Sequence, residues 1–112
     1  MSSSVVWFEL PAADTDRARD FYARLFGWSF EAFGDEDYHV SYEAGGAVSG
    51  APDEKGLLAY FGVDDIDAAI ARVRELGGEA GGKQVEPGVG EYAHCNDPEG
   101  NRFGLFRPEA SA

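Results

Sequence analysis

The sequence predicts one α+β domain built from two tandem β-α-β-β-β modules, over residues 5–50 and 57–107. Three observations predict it. The chain repeats itself at a fixed offset. Its apolar spacing switches between the helical period and the strand period. Glycine, proline and aspartate punctuate those switches.

The repeat carries the most information. Trp7-Phe8-Glu9-Leu10 runs through Ala13-Asp14-Thr15-Asp16 into a helical stretch ending Leu25-Phe26-Gly27. Leu58-Ala59-Tyr60-Phe61 runs through Asp64-Asp65-Ile66-Asp67 into another ending Leu76-Gly77-Gly78. Asp14 matches Asp65, Asp16 matches Asp67, Leu25 matches Leu76 and Gly27 matches Gly78, all at an offset of 51 residues.

Each module opens on an apolar, β-rich run, Val5 to Leu10 and Leu57 to Val63. The acidic loop that follows supplies side chains able to cap the orphan N–H groups of a helix start. In the first helix Ala18, Phe21, Tyr22, Leu25 and Phe26 define one continuous face, and in the second Ile66, Ile70, Val73 and Leu76 define a comparable stripe. Gly27 and Gly77-Gly78 stand where left-handed helix caps belong. Trp28, Phe30 and Ala32, then Tyr38, Val40 and Tyr42, alternate with polar residues as strands do. Gly45-Gly46 reads as a turn. Glu91 to Cys95, Asp97-Pro98-Glu99-Gly100-Asn101 and Arg102 to Phe106 read as a closing hairpin. Between Gly77 and Gly90, six glycines and one proline predict a loose loop with at most a short strand.

Composition narrows the function classes. With 112 residues, 44% hydrophobic and 13% aromatic, the chain suits a packed core without staples. Its 21 acidic and 9 basic residues give a formal charge of −12, a surface that repels nucleic-acid phosphates and anionic lipid heads. A cationic small ligand is attracted by the same field, although solubility alone is a sufficient reason for the charge. One cysteine, Cys95, leaves no internal disulfide, which fits a reducing, cytoplasmic setting. The first residues lack the basic and apolar regions of a signal peptide, and no apolar run is long enough to span a bilayer.

Phe8-Glu9-Leu10-Pro11, Asp16-Arg17-Ala18, Phe21-Tyr22 and Leu25-Phe26-Gly27-Trp28 together resemble the first module of small proteins of the glyoxalase/bleomycin-resistance (vicinal oxygen chelate) superfamily. The Asp97–Asn101 turn with its final apolar strand resembles the end of that family's second module. The resemblance runs from about Val5 to Arg107. It implies a curled, open mixed sheet with helices on the convex face, a concave small-molecule cavity and a homodimer. It does not imply one chemistry, because members include isomerases, dioxygenases, epimerases, transferases and non-catalytic binders.

Metal-dependent members take ligands from the first and last strands of each module. Those places carry Trp7, Leu58, Gly104 and a position near Ser49 or Gly50. Indole, isobutyl and hydrogen give no donor, and a Ser49 hydroxyl is at best a weak ligand, so no metal and no cofactor is expected. His94 and Cys95 are neighbours on a strand, point to opposite faces and cannot share an ion.

The cavity lining is then organic. Strand alternation puts Tyr92, His94 and Arg102 on the face of Gly104, Trp7 with Glu9, and Leu58 with Tyr60; Tyr38, Val40 and Tyr42 are expected to join them. Tyrosine and tryptophan on an inner strand face are more often core or dimer-interface filler. His94 is the one neutral-pH acid or base and Glu9 a candidate general base, though Glu9 paired with Arg102 is the plainer expectation. The leading reading is a metal-free domain binding a small, partly aromatic molecule, cationic or neutral, through Trp7, Tyr38, Tyr42, Tyr60, Tyr92, His94 and Arg102. A metal-free isomerase or lyase using His94 and Glu9 comes second, and a dimeric regulatory partner third. A metal-dependent lyase or dioxygenase comes last.

Overall fold

The structure is a computed structural model, and it describes residues 3–54 and 56–109. The described residues form two compact units, one within residues 7–58 and the other of residues 59–109 with residues 3–6. Each is considered by itself.

The first unit contains β1 (Val5–Ala12), α1 (Thr15–Phe26), β2 (Glu31–Ala32), β3 (Tyr38–Ser41) and β4 (Gly46–Gly50). Strand β4 runs parallel to β1 and antiparallel to β3, and β2 closes the edge against β3. Asp14 caps α1 by accepting the Arg17 N–H at 3.0 Å, a bond whose removal costs about 1 kcal/mol. Gly27, at φ 76°, ends it in the left-handed conformation that glycine adopts without strain.

The second unit repeats this plan with β5 (Leu58–Gly62), α2 (Ile66–Glu75), β6 (Glu79–Ala80), β7 (Gln84–Glu86), β8 (Gly90–Asn96) and β9 (Arg102–Pro108). Strand β9 runs parallel to β5 and antiparallel to β8. Both β6 and β7 pair with β8, so they are two pieces of one edge strand broken at Gly81-Gly82-Lys83. Asp65 caps α2 through the Ala68 N–H as Asp14 caps α1. The core of this unit is Ile66, Ile70, Ala93, Cys95 and Leu105, with Val73 and Phe103 packed against it. Cys95 therefore lies on the helix side as a small apolar group, and burial pushes its thiol pKa up.

Several local expectations change. The glycine-rich stretch forms two short strands where at most one is expected, because β8 offers an open edge to both. The strand after α1 shrinks to Glu31–Ala32, since Trp28 leaves the sheet to pack on Tyr22, Phe26 and Phe8 at ring distances of 5.7, 4.9 and 6.0 Å. The packed arc of α1 centres on Thr15, Ala18 and Tyr22, leaving Phe21, Leu25 and Phe26 more than half exposed. Leu76 is likewise exposed, because it caps α2 rather than extending its stripe. Among the described residues, no helix is long and apolar enough to cross a membrane.

Candidate functional site

Alternation fixes which side chains share a face in each unit. In the first, Phe8 turns toward the helix, where its ring fills the space over Gly46. Trp7, Glu9, Ala47, Tyr38 and Val40 therefore turn to the other face. In the second, Ala93, Cys95 and Leu105 face α2, so Tyr60, Tyr92, His94, Arg102 and Gly104 face away from it.

On the first unit's open face three predicted residues converge. The Trp7 indole donates to the Tyr38 hydroxyl at 2.9 Å, and that hydroxyl donates to Glu9 Oε2 at 2.7 Å. All three are half-buried. A charge-assisted phenol–carboxylate bond fed by an indole N–H orients all three groups at once.

On the second unit's open face, Tyr60 and His94 meet: the phenol oxygen lies 2.9 Å from Nε2. Tyr60 is buried and His94 exposed. Tyr92 flanks the imidazole at a ring distance of 5.6 Å and donates its hydroxyl to Gln84 Oε1 at 3.2 Å. Arg102 lies exposed on the same face, opposite Asn96 across the hairpin. Glu9 and His94, the candidate acid–base residues, thus each belong to a hydrogen-bonded group within their own module.

Tyr42 lies past the end of the strand that carries Tyr38 and Val40. Strand β3 stops at Ser41, and the turn to Gly45 carries Tyr42 out to 68% exposure. There, with Ser29, Phe30, Glu31, Val40 and Glu43, it lines an open hollow of about 340 Å³. Nothing in the sequence separated the strand residue from the turn residue, because alternation continues through Tyr42.

Sheet register also locates the fourth metal position. Tyr60 pairs with Gly104, and its repeat counterpart Glu9 pairs with Ala47, so Ala47 stands where Ser49 or Gly50 was expected. Alanine offers no donor either. At Gly104 the obstacle is also steric: a Cβ would lie 2.9 Å from Tyr60 Cγ and closer still to Cδ1 and Cε1. The residues at these positions do not fit the divalent ion of metal-dependent relatives. Among the described residues, no group of three or more His, Cys, Asp or Glu side chains converges.

A second polar cluster lies near the start of α1. Thr15 Oγ1 donates to Asp37 Oδ1 at 2.7 Å, and His39 Nε2 lies 2.8 Å from the same oxygen. The Thr15 hydroxyl, and then His39, holds the Asp37 carboxyl below its ordinary range. His39 sits on β3 between Tyr38 and Val40, so it turns to the opposite face from them.

The glyoxalase-like domain family matches residues 6–106. The chain is 31% identical to the anthracycline biosynthesis protein DnrV of Streptomyces peucetius, over 90% of this chain and 46% of that protein. It spans about half the length of that relative. A glyoxylase-like domain-containing protein of Didymella fabae is 32% identical over 87% of this chain and 88% of its own length. Methylmalonyl-CoA epimerase from Mycobacterium tuberculosis shares the fold, with TM-score 0.65 and 18% identity over 98% of this chain and 93% of that one. So does homoprotocatechuate 2,3-dioxygenase from Brevibacterium fuscum, seen with 3,4-dihydroxyphenylacetate, with TM-score 0.72 and 22% identity over 96% and 37%.

Proposed function

Because the chain belongs to the glyoxalase-like domain family, we propose that it binds a small, partly aromatic organic molecule on its open strand faces without a metal. The observation that carries this reading is the ordered Trp7–Tyr38–Glu9 group. It presents aromatic surface and a fixed carboxylate on the face from which metal-dependent relatives present ligands. Small-molecule sites combine such apolar surface with a few placed polar groups.

A cationic ligand suits the first unit best. Glu31 and Glu43 line the hollow beside Phe30 and Tyr42, a combination of carboxylate and ring that favours ammonium groups. The homodimer implied by the family belongs to the same reading, and sedimentation equilibrium tests it: a monomer at high concentration removes that part.

The test of binding uses the native reporter. The chain has two tryptophans, so Trp28→Phe leaves Trp7 alone to fluoresce. Titration of metal-free protein with aromatic amines is expected to change Trp7 emission saturably. Glu9→Gln is expected to weaken that response. Emission unchanged across a broad set of aromatic amines, acids and ketones would sink the proposal.

A further inference from the structure

The Tyr60–His94 contact reaches further than its bond length. Gly104, on β9, pairs with Tyr60 on β5 and with His94 on β8, at the centre of a three-strand row. With no side chain there, the Tyr60 ring lies flat across the strand, in the volume that any Cβ at that position would need. From that position the buried phenol reaches Nε2 of the exposed imidazole. Nε2 is thereby committed to the protein. Among the described residues, Nδ1 of His94 has no hydrogen-bond partner.

We propose that Tyr60 is the positioning residue of His94, with Gly104 giving it room, and that the free Nδ1 presents an N–H donor to a carbonyl oxygen of an aromatic ligand. The direction follows from acidity. A phenol is a stronger donor than a neutral imidazole N–H, and an imidazole lone pair is a stronger acceptor than a phenol oxygen. The Tyr60 hydroxyl therefore donates into Nε2, and the remaining proton resides on Nδ1. Tyr92, at 5.6 Å between ring centres, supplies an aromatic wall beside the imidazole. The corner that a ligating side chain would occupy is thus filled by a phenol, and the polar contact passes to an imidazole. This inference rests on the ligand-binding reading for the identity of the ligand, but not for the tautomer.

Nitrogen-15 NMR of the imidazoles at a pH where both histidines are neutral tests each part. In the native protein, His94 is expected to show widely separated ring nitrogens with the proton on Nδ1. Tyr60→Phe keeps the ring and removes the hydroxyl. It is expected to draw the two His94 nitrogens toward each other while leaving His39, held by Asp37, unmoved. Titration with acetophenone, a neutral aromatic ketone, is expected to shift His94 Nδ1 selectively and to lose that shift in Tyr60→Phe. A proton on Nε2 in the native protein overturns the positioning role, and that measurement needs no variant to fold. Acetophenone that moves other signals but not Nδ1 overturns the carbonyl contact while leaving ligand binding intact. A native Nδ1–H tautomer in a protein that binds no ketone overturns the carbonyl contact and leaves the positioning role standing.

Discussion

The Tyr38 hydroxyl sits 2.7 Å from Glu9 Oε2 while accepting the Trp7 indole N–H at 2.9 Å. One phenol thereby links the first strand of the module to the third. Its repeat counterpart is Tyr92, since Tyr38 pairs with Ser49 and Tyr92 with Phe106 at matching places in the two modules. Glu9 and Tyr60 are counterparts in the same sense. The two modules have kept one backbone plan and placed different polar chemistry on it.

Removing that link is expected to show in both stability and optics. Tyr38→Phe deletes two hydrogen bonds, one of them charge-assisted, for a loss of about 1–3 kcal/mol in urea unfolding. Trp7 emission is expected to shift in the folded protein. Unchanged stability and emission would mean the chain of bonds is not kept in solution.

Gly104 makes a second prediction. A methyl at this position collides with the Tyr60 ring, so Gly104→Ala is expected to cost about 1–3 kcal/mol, as overpacking does. Gly104→Glu places a carboxylate at the family's ligand position, yet it is expected to recruit no stoichiometric zinc by metal analysis. A variant of native stability would show that Tyr60 lies elsewhere.

Acid stability turns on Asp37. Its bonds to Thr15 and His39 lower its pKa below the ordinary 3.8, so the folded state favours the ionised form. That contribution is fully present above pH 3.8 and is lost as pH falls through the lower folded value. Thr15→Val removes the largest cause. Melting curves across the acid range are expected to show the variant losing its deficit relative to native protein as pH falls below 3.8. A deficit that stays constant with pH would contradict the linkage.

Cys95, 3% exposed among Ile70, Ala93 and Leu105, is expected to resist a thiol reagent at neutral pH until the protein is unfolded. Rapid labelling of the native protein would place it outside the core.

Much of this was legible in the chain itself. The repeat marked both helices, their aspartate caps and the closing hairpin, because those features depend on local chemistry. Alternation placed Trp7 with Glu9, and Tyr92 with His94, correctly on shared faces. At Tyr42 a turn replaces the strand without any change of pattern. Amphipathic spacing gives the apolar arc, but Thr15, Ala18 and Tyr22 decide which part of it meets β4. The Tyr60–His94 bond was out of reach, since it depends on strand register and on the absence of a Cβ at Gly104.

The most direct test of metal-free ligand binding is the melting temperature of chelator-treated protein with divalent metals, aromatic metabolites and aromatic amines. A ligand at one hundred times its Kd adds about 2.7 kcal/mol, which is several degrees for a domain of this size. Stabilisation by an organic compound in the absence of metal is the predicted result. Stabilisation by a divalent metal alone, with no organic compound effective, would contradict it.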